Sequence, residues 1–181
     1  HLALANSPAF VAVWLAANRM GAWIVPSDPM ARRPELADHL ERTRPSVGLC
    51  AVNRADVYRS ALVDAGVSAE VIEVDEADAS SLPSSGASYT DWVTPALSDR
   101  AAVMFTSGTT GRPKGVEITQ ANYAFAGKVM AEASELTVED RQIVVLPLFH
   151  ANAQYYSFAP AIWSGASVAL MHTFSASNFL P

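Results

Sequence analysis

The first apolar pattern along the chain has the spacing of a helix. Phe10 and Trp14, together with their apolar neighbours, recur at intervals of three and four residues, as expected for one buried helical face. Ser7 is suited to cap the start of this helix and Pro8 to occupy its first turn, while Gly21 is suited to end it. The pattern therefore predicts a helix that begins after Ser7 and ends before Gly21.

Short apolar runs then alternate with longer segments that are apolar on one side only. Short runs predict strands, and one-sided segments predict helices. We expect strands over residues 1–5, 22–25, 47–52 and 71–74, and helices over residues 34–44 and 55–65. Strands that alternate with helices predict an α/β fold with a mostly parallel sheet flanked by helices.

The same alternation returns after a stretch of different composition. Residues 75–100 are rich in Asp, Glu, Ser, Pro and Ala, with scattered apolar anchors, and predict a connecting segment. Beyond it we expect strands over residues 101–105, 115–119, 142–146 and 167–171, and helices over residues 120–135 and 151–164. Thr119 is the expected cap of the first of these two helices. The chain thus divides into a first α/β part (1–75), a connecting segment (76–100) and a second α/β part (101–181).

Composition excludes several classes of function. Half of the 181 residues are hydrophobic, which is enough for one substantial core. The net charge of −6 and the lack of a basic stripe argue against nucleic acid as a partner. No apolar run approaches the roughly 20 residues of a transmembrane segment. The single cysteine, Cys50, lies in an apolar run, which predicts a buried structural thiol and fits a cytoplasmic location.

The strongest chemical signal is the segment MFTSGTTGRPKGV at residues 104–116. Its three glycines allow the main chain to approach a ligand closely, so that successive amides can converge on an anion. Its hydroxyl side chains add donors, and Lys114, one of two lysines among twelve basic residues, adds a compact positive charge. The segment is typical of a phosphate-binding loop. The competing interpretation is a surface hairpin, because Ser, Thr and Gly are common in loops.

This loop differs from the P-loop of nucleotide hydrolases. Pro113 stands where that motif has its second glycine, and Gly115 follows the lysine where Ser or Thr is required. Residues 115–119 continue as a β-like run and not as a helix. We therefore predict a strand, loop, strand arrangement that binds phosphate through main-chain amides.

Residue for residue, the loop resembles the signature of the adenylate-forming (AMP-binding) superfamily, which includes acyl-CoA synthetases, aryl-CoA ligases, peptide-synthetase adenylation domains and luciferases. The segments NSPAF (6–10), GAWIVP (21–26) and LPLFH (146–150) resemble family segments in family order. Residues 146–154 and 174–177 are most similar to acyl-CoA ligases of the crotonobetaine/carnitine-CoA ligase type. The resemblance covers nearly the whole chain and is weakest over residues 56–100.

The resemblance implies the chemistry of an acid–thiol ligase. Family enzymes activate a carboxylic acid by attack on the α-phosphate of ATP, which gives an acyl-adenylate and pyrophosphate, and most then transfer the acyl group to a thiol such as that of CoA. It assigns the β- and γ-phosphates to a group of loop residues, namely Thr106, Ser107, Gly108, Thr109, Thr110, Gly111 and Lys114. Thr109 or Thr110 is the expected ligand of Mg²⁺, and the resemblance does not choose between them.

The resemblance also gives His150 a place beside the acyl pocket, near the reacting carboxylate. Lys114 and His150 are thus the expected catalytic residues, and Phe149, Asn152, Gln154 and Tyr155 are candidates for the pocket wall. The competing interpretations are a structural hydrogen bond for His150 and core packing for the aromatic residues. His39 and His172 have no partner pattern and are predicted to be ordinary residues.

Family members are several times longer than 181 residues, and the chain matches an internal part of their large N-terminal domain. We therefore expect a fragment that is inactive alone, because the resemblance places the adenine, ribose and C-terminal lysine sites beyond it. Apolar surfaces left uncovered favour self-association, so we expect a homo-oligomer. Two alternative functions remain open: an amino-acid-activating adenylation domain and a non-catalytic phosphate-binding module.

Overall fold

The structure is a computed structural model that describes residues 1–78, 82, 89–106, 113–175 and 177. In the described residues the α-helices are α1 (Pro8–Arg19), α2 (Arg33–Thr43), α3 (Ala55–Ala65), α4 (Gln120–Ala133) and α5 (Ala159–Ser164), with a 3₁₀-helix at Val52–Arg54 and a π-helix at Ala153–Phe158. The strands are β1 (Leu2–Ala3), β2 (Val47–Ala51), β3 (Glu70–Val74), β4 (Arg100–Thr106), β5 (Lys114–Thr119), β6 (Arg141–Val144) and β7 (Ser167–Leu170).

Parallel pairing dominates the first part of the chain. β1, β2 and β3 form a parallel sheet in that order, with Leu2 opposite Leu49 and Leu49 opposite Ile72. β6 and β7 also pair in parallel, whereas β4 and β5 form an antiparallel hairpin. Strands and helices alternate along the chain, so the predicted α/β class with a mostly parallel sheet is confirmed.

A short extended segment joins the first sheet to the hairpin. The amide of Leu2 donates to the carbonyl of Val25 at 2.9 Å, and the amide of Val103 donates to the carbonyl of Ile24 at 2.8 Å. The predicted strand at residues 22–25 is wrong in extent, because only isolated bridges form, at Ile24 and Pro26. Pro26 has no amide hydrogen to extend a ladder. β1 and β4 are nevertheless tied to opposite sides of this one segment.

Helix ends follow the capping residues that the sequence predicts. The Ser7 hydroxyl accepts a hydrogen bond from the amide of Phe10 at 3.3 Å, with Pro8 at the first helical position. Thr119 caps α4, and its side chain and that of Asn122 form a reciprocal capping box. Glu135 lies in the left-handed region at φ 52°, so the helical conformation has ended before this residue.

Two apolar clusters lie on the two sides of the parallel sheet. One contains Phe10 and Trp14 of α1, packed with Leu49, Val74 and other strand residues. The other lies beneath α2 and α3 and contains Leu36, Leu40, Cys50, Tyr58 and Leu62. Cys50 is fully buried, as predicted, and burial raises the pKa of its thiol to about 11. The thiol is therefore protonated and unreactive at neutral pH.

The helix predicted over residues 151–164 changes type part-way. After a first turn it continues as the π-helix, and the amide of Ala159 donates to the carbonyl of Gln154, five residues earlier. Pro160 follows in the first turn of α5. Proline cannot donate to the preceding turn, which accounts for a change of hydrogen bonding at this place.

Candidate active site

The candidate phosphate loop, residues 106–114, is carried by the β4–β5 hairpin. Thr106 pairs directly with Lys114, and Phe105 pairs with Gly115, at the open end of the hairpin. The predicted strands on both sides of the loop are thus present in the described residues, and they pair antiparallel. The middle of the loop lies outside the described residues, and with it the expected phosphate ligands Ser107, Gly108, Thr109, Thr110 and Gly111.

The hairpin is anchored at its base and exposed at its tip. β4 changes from four buried residues, 101–104, to half-buried Phe105 and exposed Thr106. Arg100 forms an ion pair with Glu117 across the two strands. Lys114 is exposed, so its ammonium group reaches solvent beside the loop. A ligand held by this loop is therefore bound at the surface end of a strand pair that is fixed in the core.

Helix α2 lies against the open end of the same hairpin. The ring of His39 stacks on that of Phe105, with a centroid distance of 3.8 Å and an angle of 9° between the planes. The Arg42 guanidinium lies 4.7 Å from the Phe105 ring centroid, and its Nη1 donates to the carbonyl of Pro113 at 2.7 Å. One helix therefore contacts both the entry and the exit of the loop.

Burial determines the charge of His39. It lowers the pKa of the imidazole to about 4; nearby Asp38 raises it by a smaller amount, and Arg42 lowers it further. The ring is neutral at pH 7, which suits its stacking against an apolar ring. Its Nδ1 is 2.7 Å from the Ser27 hydroxyl, and that hydroxyl is also 2.9 Å from Nε2 of His1.

A single buried asparagine organises the segment that contains His150. The Asn6 amide nitrogen donates to the carbonyls of Leu146 and Met171, each at 3.0 Å, and its oxygen accepts from the amide of Leu148 at 2.7 Å. Because Leu146 follows β6 and Met171 follows β7, one side chain holds the ends of both strands. It thereby determines the course of residues 146–148, just before His150.

A second buried amide, that of Gln154, also holds this segment at Leu148. Gln154 is completely buried, donates to the carbonyl of Leu148 and accepts from the hydroxyl of Tyr123 on α4. Gln154 was a candidate for the pocket wall, but its hydrogen bonds and burial place it in the core. Asn152 is exposed, and Phe149 and Tyr155 are partly buried. The Tyr155 ring meets the edge of the Tyr123 ring.

His150 itself is exposed at the start of the helical segment that follows β6. Its main-chain amide donates to the carbonyl of Pro147 at 3.0 Å, which forms a tight turn, and its ring lies 4.3 Å from the Phe149 ring. In the described part of the chain no hydrogen bond joins His150 to Thr106 or Lys114. Thr106 and Lys114 lie at the end of the β4–β5 hairpin, whereas His150 follows β6, and α4 separates the two groups in the chain.

The described residues do not supply a carboxylate site for a divalent cation. Residues 1–78, 82, 89–106, 113–175 and 177 contain no group of three or more His, Cys, Asp or Glu side chains arranged to hold a metal ion. Thr109 and Thr110, the expected Mg²⁺ ligands, lie outside the described residues. None of the helices in the described part of the chain has the length and apolar character needed to cross a membrane.

A separate crevice opens at the carboxyl ends of the parallel strands. It has a volume of about 710 Å³ and is lined by residues that follow β2, β3 and β7, with Asn6 and His172 among its polar groups. The His172 Nδ1 lies 3.0 Å from the carbonyl oxygen of Asn6. Among the predicted site residues that the structure describes, none lines this crevice.

A comparison with known protein families shows which family this chain belongs to. The model of the AMP-binding enzyme family matches residues 1–180. The chain belongs to this family. The predicted membership of the adenylate-forming superfamily is thereby confirmed.

Relatives of this chain include acyl-CoA ligases. The crotonobetaine/carnitine–CoA ligase of Salmonella enteritidis PT4 is 32% identical over 98% of the chain. One similar solved structure is o-succinylbenzoate CoA synthetase (MenE) of Bacillus subtilis in complex with the acyl-adenylate intermediate OSB-AMP. Its sequence is 25% identical and the TM-score is 0.80, and the match covers 99% of this chain and 44% of that one. ATP-bound MatB of Rhodopseudomonas palustris shares the fold, with a TM-score of 0.84 at 22% identity over 99% of the chain and 36% of that structure. The chain spans 36% of the length of the Salmonella ligase.

The sequence does not single out the residues that support the candidate site. It places Asn6 in a family segment without a role, and it predicts that His39 is an ordinary residue. Arg42 was not singled out. The contacts of these residues that bear on the site span long stretches of the chain: His39 contacts Phe105, 66 residues away, Arg42 contacts Pro113, 71 residues away, and Asn6 contacts Met171, 165 residues away. Local pattern carries no signal for such pairings.

Proposed function

We propose that the chain is the phosphate-binding part of an ATP-dependent acyl-CoA ligase, which activates a carboxylic acid as acyl-AMP and transfers the acyl group to CoA. The observation that carries the proposal is the pairing of Thr106 with Lys114 at the end of an anchored hairpin. This arrangement presents the family loop from two fixed strands. Family membership supplies the reaction type, and the names of the relatives supply the acceptor class.

Lys114 has the chemistry required at a triphosphate. Its ammonium group is exposed beside the loop, and a compact charge of this kind suits phosphate oxygens. During adenylation, negative charge moves toward the leaving pyrophosphate, so a fixed cation there stabilises the transition state. In this proposal Thr106 and the loop residues 107–111 supply hydroxyl and main-chain donors to the same phosphates. No covalent bond to the protein is needed.

His150 is proposed to lie beside the acyl group and its carboxylate. Two buried amides, those of Asn6 and Gln154, hold the main chain of Leu148, two residues before it. Because the segment is already ordered, the exposed imidazole can be oriented toward a bound acid without a further entropic cost on binding. Phe149 and Asn152 are the partly accessible neighbours that we assign to the pocket wall, while Gln154 is assigned a supporting role.

Mg²⁺ is proposed to accompany ATP, with Thr109 or Thr110 as a ligand. Mg²⁺ bound to a nucleotide commonly keeps several waters and takes few protein ligands, so the lack of a described carboxylate cluster does not conflict with this role. CoA is proposed as the second substrate and a small carboxylic acid as the first. A cytoplasmic location and the division of the chain at residues 75 and 100 stay predictions.

The test is acid-dependent exchange of pyrophosphate with ATP by the full-length gene product. The panel contains short, branched, carnitine-like and aryl acids together with amino acids. Lys114→Ala is compared with Lys128→Ala, which removes the other lysine, on α4, where it is exposed and paired with Glu132. We expect exchange that requires an acid, falls at least a hundredfold in Lys114→Ala and is unchanged in Lys128→Ala.

Each outcome of this exchange assay separates the proposal from its alternatives. Exchange stimulated only by amino acids would transfer the proposal to an amino-acid-activating adenylation domain. A folded protein without exchange for any acid would favour the non-catalytic phosphate-binding module. An equal loss in both lysine variants would show that general destabilisation, and not phosphate binding, explains the effect. Residues 1–181 alone are expected to give no exchange.

A further inference from the structure

We propose that helix α2 positions the phosphate loop for ATP, and that Arg42 is the positioning residue. The inference rests on the proposed function, because it assumes that the loop binds ATP. It assigns α2 the role of placing that loop without contacting the nucleotide. It concerns one set of contacts, which we call the α2–hairpin contact: His39 and Arg42 on the helix with Phe105 and Pro113 on the hairpin.

The first half of the contact fixes the entry to the loop. Phe105 immediately precedes Thr106, and its ring is stacked on His39 at 3.8 Å while the Arg42 guanidinium lies 4.7 Å from its centroid. A cation beside the face of an aromatic ring is attracted to the π electrons of that ring. Phe105 also packs across Gly115 on the paired strand, where an added Cβ would lie 3.5 Å from the ring. The ring is therefore held between helix and hairpin.

The second half fixes the exit from the loop. Arg42 Nη1 donates to the carbonyl of Pro113 at 2.7 Å. This carbonyl belongs to the peptide group that links Pro113 to Lys114, so the bond restrains the main chain from which the lysine side chain extends. A hydrogen bond from a charged donor is stronger than one between neutral groups. Arg42 thus acts on both ends of the loop at once.

The helix can provide such restraint because it is itself fixed. Leu36 and Leu40 are buried at 2% and 0% exposure, which attaches α2 to the core beneath it. His39 is bonded to Ser27 at 2.7 Å, at the end of the segment that joins β1 to β4. Asp38, one turn before Arg42, pairs with the same Nη1 at 3.1 Å. The guanidinium is therefore held in place from its own helix before it contacts the hairpin.

A matched ion pair on the same helix serves as the control. Arg33 begins α2 and pairs with Asp64 of α3, and both side chains are about half exposed. Substituting Arg33 removes one positive charge and one ion pair from α2 without removing any member of the α2–hairpin contact. Any effect of Arg42 that exceeds that of Arg33 then belongs to the hairpin and not to the helix in general.

The experiment measures pyrophosphate exchange and amide hydrogen exchange on the full-length gene product. The variants are Arg42→Ala, Phe105→Leu, their combination and Arg33→Ala. We expect Arg42→Ala to raise the KM for ATP about tenfold, as for the loss of one charged hydrogen bond, with the KM for the acid unchanged. Amides of β5 next to Pro113 should exchange about tenfold faster in the same variant. Arg33→Ala should change neither quantity.

A purely structural role for Arg42 would give a different pattern. Partial misfolding lowers the amount of active enzyme, which reduces kcat and leaves KM for ATP unchanged, and this result would overturn the proposal. Additive effects of Arg42→Ala and Phe105→Leu on KM for ATP would also overturn it, because they would show that Arg42 does not act through Phe105, the first half of the α2–hairpin contact. A double variant whose loss is smaller than the sum of the two single losses supports it.

Failure of the proposed function is distinguishable from failure of this inference. If the unmodified protein exchanges pyrophosphate with no acid, the ligase proposal fails before any variant is compared. Amide exchange then decides the α2–hairpin contact alone: faster exchange in β5 for Arg42→Ala but not for Arg33→Ala supports the restraint. Equal exchange rates in the two variants overturn it.

Discussion

The hydrogen bonds of Asn6 lead to a quantitative prediction. Its side chain satisfies two carbonyls and one amide that belong to residues 146, 148 and 171. Asn6→Ala removes all three bonds at once and leaves these main-chain groups without their partner. The residue is 6% exposed, so replacement by bulk water is restricted. Stability and the position of His150 should both be affected.

The magnitude follows from the number of bonds. Each hydrogen bond contributes about 1 kcal/mol net, so the loss of three should lower the free energy of unfolding by about 3 kcal/mol. Unsatisfied main-chain groups in a low-dielectric environment increase the cost further. For a chain of this size, about 3 kcal/mol corresponds to a decrease of roughly 6–12 °C in the midpoint of thermal unfolding.

Urea denaturation followed by circular dichroism measures this change directly. Asn53→Ala is the matched control, because Asn53 is exposed in the 3₁₀-helix and the substitution removes the same group from the surface. We expect a change below about 0.5 kcal/mol for this control. If Asn6→Ala costs less than about 1 kcal/mol, or no more than the control, the three bonds do not hold the ends of β6 and β7.

Two further predictions concern His39 and Gly127. The pKa of His39 is about 4 in the folded protein and about 6.5 in the unfolded chain, so the unfolded state binds a proton first as the pH falls. The free energy of unfolding therefore decreases between pH 6.5 and pH 4, by up to about 3 kcal/mol. His39→Asn should remove this decrease, which urea denaturation at pH 7 and pH 4.5 measures. If the free energy of unfolding differs between the two pH values by the same amount in the variant, the assigned pKa is wrong. At Gly127 an added Cβ would lie 2.9 Å from the carbonyl oxygen of Ala159. Gly127→Ala should therefore push α4 away from α5 and lower the free energy of unfolding by about 1–3 kcal/mol. The solvent-facing substitution Lys128→Ala, at the next position of α4, should cost less than about 0.5 kcal/mol, and an equal loss in the two variants would refute the steric argument.

Local signals in the sequence were sufficient for most helices and strands. The caps at Ser7 and Thr119 and the apolar spacing of α1 involve neighbours within one or two turns, and such interactions can be recognised from a single chain. The strand, loop, strand arrangement around the phosphate loop followed from Pro113 and Gly115, which are incompatible with a P-loop. The family followed from the order of residues in that loop.

Features that depend on distant partners were not predictable in the same way. The apolar pattern of residues 151–164 predicts a helix but does not specify that Ala159 bonds to the fifth residue before it. The segment at Ile24 has the composition of a strand, yet it forms only isolated bridges, one from Pro26 to β1 and one from Ile24 to β4. Gln154 has the polarity of a pocket residue, and only the positions of Tyr123 and Leu148 show that it is a core residue.

The distance in sequence between Asn6 and its partners has a consequence for the order of folding during synthesis. Asn6 and Met171 are separated by 165 residues. At 5–20 residues per second, a ribosome needs roughly 10–30 s to make the intervening chain. Until then β1 can pair with β2, but the amide of Asn6 cannot bind the end of β7. Closure of the molecule around the segment that contains Asn6 is therefore a late event, set by translation and not by the intrinsic speed of strand pairing.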